Sequence, residues 1–161
     1  MITKSLQDKK NGFTVVELIV IIVVIGILAS ISIVGYSGLQ GRSRDAERKA
    51  DIESIQSVLE TYRDQTGKYP SQADAITNGV TFFTANRLAE AALVTPTAAD
   101  GVTSSLQWTA TPTIDTYGYQ SFKVDNSACL LSTDTCTKYS LRYRAENGGA
   151  LTTILSKYGQ S

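Results

Sequence analysis

Few side chains in this sequence are equipped for chemistry, and those few lie far apart. One carboxylate, Glu17, sits in the run from Phe13 to Tyr36, which holds no other charge. An acidic side chain well inside hydrocarbon costs roughly 2.5–3.5 kcal/mol on insertion scales, so Glu17 needs a partner or a task. Two cysteines, Cys129 and Cys136, enclose LLSTDT. Asp100, Asp115, Asp125 and Asp134 fall in loop-like stretches, where solvated turns are the ordinary use of aspartate and calcium ligation the rarer one. Tyr117 and Tyr119 either face a ligand or pack a sheet, and packing is the ordinary use. There is no histidine, which removes the commonest general base and most catalytic zinc sites. No glycine-rich phosphate loop, no Gly-x-Ser-x-Gly and no Cys/His metal cluster occurs. We therefore assign no catalytic residue, no metal ligand and no cofactor, and expect that the chain is not an enzyme.

The elements that carry these residues begin with an anchor. The chain has 161 residues and no net charge, enough for a small domain plus an anchor and without the basic excess of a nucleic-acid binder. Lys4, Lys9, Lys10 and Asp8 give the first twelve residues a net charge of +2. The 24 residues from Phe13 to Tyr36 would span about 36 Å as a helix, enough for a hydrocarbon core of roughly 30 Å. Lys9 and Lys10 should keep the leader cytoplasmic and put the C-terminal part across the membrane. A secretory signal peptide fits poorly, because the apolar run passes through Ala29-Ser30-Ile31 to Val34 without a clean small-residue site. The small residue that stands out is Gly12, on the leader side. A cut there would remove a basic leader and keep the anchor.

The stretch NGFTVVELIVIIVVIGILAS closely resembles the start of the type IV pilins and of the pseudopilins of type II secretion systems. The resemblance covers residues 9–36 closely and 37–70 in general plan. It implies cleavage between Gly12 and Phe13 by a prepilin peptidase that also N-methylates Phe13. It further implies that Glu17 offsets the new Phe13 amine, in its own chain or a neighbour, since a lone charge in a low dielectric costs far more than a paired one. Glu17 and Phe13 share a helix face at four-residue spacing. Gly26 matches a glycine often found inside the family's apolar half. Many members have a proline where this chain has Val34; here Gly35, Gly38 and Gly41 follow instead. They imply a bendable segment over 35–41 or close helix packing, and sequence leaves both open.

The remaining elements read as an α+β fold. Ile52, Ile55, Leu59 and Tyr62 form one apolar stripe, so a single helix is expected from about Thr14 to Gln65, roughly 78 Å long. The charge run from Arg42 to Glu53 reads as a solvated face with local ion pairs around Glu47 and Asp51. Gly67-Lys68-Tyr69-Pro70 ends the helix, and resembles the helix exit of pseudopilins, where the tyrosine packs back on the domain. Short helices are expected over 71–76 and, better formed, over 85–93, with a loop over 95–105. Strands are expected at 106–111, 117–124, 138–145 and 151–157, the last two joined by Asn147-Gly148-Gly149 as a hairpin. They should make an antiparallel sheet over the helix stripe, with alternation in 139–145 giving one wet face. The domains are thus leader 1–12, apolar helix half 13–36, amphipathic half 37–66 and head 67–161. Outside the cytoplasm Cys129 and Cys136 are expected to form a disulfide. The family's disulfide loop is usually longer and reaches the last strand, whereas this one precedes the final hairpin.

The function these features imply is structural: a prepilin that assembles with identical or related subunits on a pilus or secretion platform. A pseudopilin is the nearest alternative. Alternatives of another class are a single-pass anchored surface binding protein with Gly12 uncut, and a tethered exported enzyme.

Overall fold

The computed structural model describes residues 12–158, the side chains of 32–37 excepted. Its first element, α1, runs from Val15 to Thr66 without interruption. The chain divides into two units between Leu39 and Gln40, inside this helix. In the first unit, α1 exposes every described large apolar side chain from Val15 to Ile31, none less than 46%.

The second unit is built on the rest of α1. Ile52, Ile55 and Leu59 are fully buried on one face, and the half-buried Tyr62 extends the stripe to an edge-to-face contact with Phe82. The helix ends where expected. Gly67 takes φ 79°, a left-handed conformation that glycine adopts without a Cβ penalty, and its N–H reaches Arg63 C=O.

The 85–93 helix expected from sequence is corrected. A π-helical turn, Ala73–Thr77, leads to α2 at Gly79–Ala85, and only a 3₁₀ turn, Glu90–Leu93, forms beyond it. The reason is local: Asn86 turns its amide back to Phe82 C=O, and Arg87 takes φ 67°, which breaks the helical path.

Four strands follow, β1 (Leu106–Gln107), β2 (Tyr117–Phe122), β3 (Lys138–Arg144) and β4 (Leu151–Leu155), in spatial order β1-β2-β3-β4. The pairs β2–β3 and β3–β4 are antiparallel as expected, with Gly148 and Gly149 at positive φ in the hairpin turn. β1 is not: it is two residues long and parallel to β2. It stops early because the chain crosses β2 closely there. A Cβ on Gly118 would lie 2.6 Å from Thr109 C=O, and the Trp108 ring packs edge-on to Tyr119.

The inner face of the sheet carries Tyr117, Tyr119, Tyr139 and Leu141, all buried against the helix stripe together with Phe83, Leu88 and Leu93. The ligand role for Tyr117 and Tyr119 gives way to packing, since both rings are fully buried and both hydroxyls are occupied inside the protein. The alternate face is drier than the sequence pattern suggested: Ser140 is buried and Arg142 and Arg144 are half-buried.

Candidate functional site

The N-terminal cluster is built by the start of α1. Thr14 precedes the first helical residue, and Glu17 is the third residue inside. Glu17 Oε2 accepts the Thr14 N–H and hydroxyl, both at 2.8 Å, while the Glu17 N–H reaches Thr14 Oγ1 at 3.2 Å. This reciprocal arrangement is a capping box, which satisfies two of the donors a helix leaves open at its start. Glu17 thus has a partner of its own. Sequence reasoning singled out Glu17 and missed Thr14, although T-x-x-E ahead of an apolar run is the signal for this cap.

Gly12 and Phe13 lie just outside the helix, with Phe13 85% exposed. An unwound bond next to a capped helix is physically accessible to a peptidase, and a cut after Gly12 would place a cationic amine one residue before the Glu17–Thr14 box. The leader lysines, Asp8 and the rest of residues 1–11 lie outside the described residues. Further along, the Ser30 hydroxyl donates to Gly26 C=O at 2.7 Å, so this polar side chain is satisfied within its own helix. Gly26 and Gly38 have open space where a Cβ would sit. The backbone at Gly35 and Val34 is helical, but their side-chain positions lie outside the described residues. Gly41 is different: it is buried, and a Cβ there would stand 2.8 Å from the Asn147 amide. Close approach of the β3–β4 turn to α1 is what that glycine permits.

Among the described residues no helix is long and apolar enough to cross a membrane. The apolar run in the sequence continues to Tyr36, and the side chains of 32–37 lie outside the described residues.

The second unit holds a polar clasp that the sequence had presented as a solvated face, a reading the structure corrects. Arg48 is fully buried. Its guanidinium donates to Asp45 at 2.9 Å, to Thr97 Oγ1 at 3.0 Å and to Ile114 C=O at 3.3 Å. Asp45 also accepts the backbone N–H groups of Glu146 and Asn147. Burial pushes its carboxyl up, but those N–H groups and Arg48 outweigh it and hold Asp45 below the usual range. Arg44 closes the same corner on Glu146, whose carboxyl that hydrogen bond holds low. Of the local ion pairs, Asp45–Arg48 and Lys49–Glu53 form. Asp51 instead accepts the Tyr117 hydroxyl at 2.6 Å. The missed signal is simple: extending the stripe back from Ile52 by four residues lands on Arg48.

Glu60, which the sequence did not single out, accepts the hydroxyls of Tyr69 and Tyr139 and the Lys157 N–H at 2.8–3.0 Å. It ties the helix exit, β3 and the C-terminal segment to one carboxylate.

Cys129 and Cys136 are bonded. Their loop also abuts the helix exit: Tyr69 N–H donates to Cys136 C=O and Gln72 N–H to Cys129 C=O, both at 2.9 Å, and Ser132 Oγ donates to Asp74 at 2.6 Å. The tyrosine of the helix exit is indeed fully buried. Asp134 caps the loop from inside by accepting the Leu130 and Leu131 N–H groups, and pairs with Lys123 at 2.8 Å. Asp125 is occupied by Ser127. Among the described residues, no group of three or more acidic or cysteine side chains could hold a metal ion.

Comparison with known proteins falls on the same N-terminal stretch. The family model for the prokaryotic N-terminal methylation motif matches residues 7–33. The chain carries a prokaryotic N-terminal methylation motif. This prepilin-type start extends into sequence relatives. The chain is 29% identical over 70 residues to the type IV major pilin protein PilA of Myxococcus xanthus, covering 44% of this chain and 32% of that protein. It is 33% identical over 63 residues to the type II secretion system core protein G of Pectobacterium carotovorum, covering 39% and 40%. The core protein G of Escherichia coli gives 33% over 64 residues, covering 40% and 44%. The chain thus spans less than half the length of these relatives. No solved structure matches the chain.

Proposed function

We propose that the chain is a prepilin, the precursor of a structural subunit in a type IV pilus or a pilus-like fibre. It is held in the bacterial cytoplasmic membrane with its head outside, cut between Gly12 and Phe13, and N-methylated on Phe13. Assembly on a pilus or secretion platform then moves it from the membrane to the fibre on the cell surface. It is the substrate of a prepilin peptidase and methyltransferase and catalyses nothing itself. One observation carries the reading: the methylation motif lies over a residue set in which the Gly12-Phe13 bond, outside any helix, precedes a capped helix whose described apolar side chains are exposed. The apolar side chains of that helix from Val15 to Ile31 are exposed, and lateral packing with copies of itself would cover them. Such head-to-tail packing does not close on two copies and so propagates a filament.

In this reading Glu17 holds the freed amine of Phe13, on its own chain or the next, once the leader is gone. The likeness to the core protein G relatives favours a second reading, a pseudopilin in a short secretion rod. Both share the same processing. Mass spectrometry of the mature protein tests it: an N-terminus at residue 13 carrying one added methyl is expected, and replacing Gly12 by valine should leave the full-length form in the membrane. Surface protein that still begins at Met1, or normal processing of the Gly12→Val chain, would overturn the reading in favour of an uncut anchored protein.

A further inference from the structure

One long edge of the sheet is left open. β4 is the last strand, and the ladder with β3 fixes which of its backbone groups are spoken for. Ala145 N–H donates to Ala150 C=O at one end and Ser156 N–H to Tyr139 C=O at the other, so the even-numbered residues of β4 face β3. Leu151, Thr153 and Leu155 therefore turn their N–H and C=O groups outward, and no hydrogen bond reaches them among the described residues. Their side chains are exposed too, Leu151 by 42% and Leu155 by 51%. Edge strands of soluble domains are ordinarily blunted by lysine, proline or a bulge. LTTIL has none of these. The opposite edge, β1, is two residues long.

The geometry points to a second copy of this chain as the occupant, paired antiparallel through β4 about a two-fold axis at Thr153. The strand is its own complement in that register. Leu151 meets the partner copy's Leu155, Thr153 meets its own counterpart, and each meeting residue presents an outward N–H and C=O. Leu–Leu and Thr–Thr cross-strand pairs are favourable neighbours. A shift of one residue faces satisfied groups to free ones, and a shift of two loses both leucine pairs. The window is closed on both sides, by the Gly148-Gly149 turn and by Lys157, whose N–H is taken by Glu60. Charge permits it as well. The only charges on the strands are Lys138, Arg142 and Arg144, all on β3. Arg142 and its counterpart would stand three strand spacings apart, about 14 Å, beyond a Debye length of roughly 8 Å.

This contact closes on two copies and is therefore distinct from the stacking that builds a filament. If the proposed fibre forms, β4 pairing joins copies in adjoining fibres. The full-length chain in detergent tests it by mild oxidation of single-cysteine additions. Paired residues of this type stand about 5.5 Å apart at Cα, within disulfide reach. Thr153→Cys should give several-fold more disulfide-linked dimer than Thr152→Cys, whose side chain turns to the other face and which controls for exchange with the native disulfide. Adding Leu155→Lys to Thr153→Cys should abolish most of that dimer. Equal cross-linking at 152 and 153, or a dimer that survives Leu155→Lys, overturns the proposal. Fibre formation is scored separately by sedimentation, so a failed β4 contact is not confused with failed polymerisation.

Discussion

One helix runs through two regimes. Up to Ile31, α1 shows exposed apolar side chains, and its described polar side chains Glu17 and Ser30 are satisfied locally, Glu17 by Thr14 and Ser30 by Gly26 C=O. From Gln40 on, the same helix turns one face to a head that meets it residue by residue: Gly41 under Asn147, Arg48 in a cage of oxygens, Ile52, Ile55 and Leu59 in the core, Glu60 under two tyrosines. Among the described residues of its own unit the first half has no second element to pack on. Burying a leucine or isoleucine side chain is worth roughly 1.5–3 kcal/mol, so that half gains most from partners outside the unit. The second half gains most from the head. The first therefore suits assembly and the second suits a fixed fold, and substitutions in the two halves should fail in different assays.

The largest expected effect lies in the first half. Glu17→Val removes both the cap acceptor and the charge, and fibre yield should fall about tenfold or more, as expected when a buried charge loses its partner. Head stability, followed by Trp108 fluorescence in denaturant, should stay unchanged. Glu17→Gln separates the two roles, because the amide oxygen still accepts the Thr14 N–H but offers the Phe13 amine no counter-charge. Gln should assemble as poorly as Val. Assembly at the parent level would assign Glu17 to capping and remove the charge-pairing account.

In the second half the expected losses are of stability. Arg48→Met leaves Asp45 short of its cation and the Ile114 carbonyl with Thr97 Oγ1 as its remaining donor, and should cost about 3 kcal/mol in a denaturant titration. A cost near zero would mean that the clasp is solvated after all. This residue marks the limit of what the sequence made legible. The long helix, the apolar stripe, the three antiparallel strands and the hairpin were readable because period and turn chemistry encode them locally. The distant partners of Arg48 and Glu60 were not, because Thr97, Ile114, Tyr139 and Lys157 lie far along the chain. A charge-balanced run looks the same whether its ions pair with each other or with a distant loop. The 85–93 helix failed for a related reason: helix-forming alanines and leucines there were outweighed by one turn at Asn86-Arg87.

The disulfide should matter less. Replacing both Cys129 and Cys136 by serine opens a short loop, worth about 2–3 kcal/mol on chain-entropy grounds. Its backbone would still be held by Tyr69, Gln72 and Asp134. The expected result is a folded head with a lower denaturation midpoint and an unchanged slope. A changed slope would show that the loop, and with it the helix exit, had come apart.

The smallest effect concerns Asp51. Its burial raises the carboxyl to about 6, the Tyr117 hydrogen bond opposing that and the Glu47 charge adding to it. A carboxyl that is harder to ionise folded than unfolded binds its proton more tightly in the native state. Its contribution is therefore full below the unfolded value, near pH 4, and is lost as pH rises through 6. Because the group is half-exposed, the loss should be discounted to about 1 kcal/mol. Asp45 and Asp74, held low, work in the opposite sense and weaken the fold as pH falls. They are common to parent and variant, so subtraction isolates Asp51. The stability of Asp51→Asn relative to the parent should rise by about 1 kcal/mol between pH 4 and pH 7. A flat difference across that window would mean that solvent reaches the carboxylate freely, and that the seal between the second half of α1 and β2 is looser at Tyr117 than at Arg48.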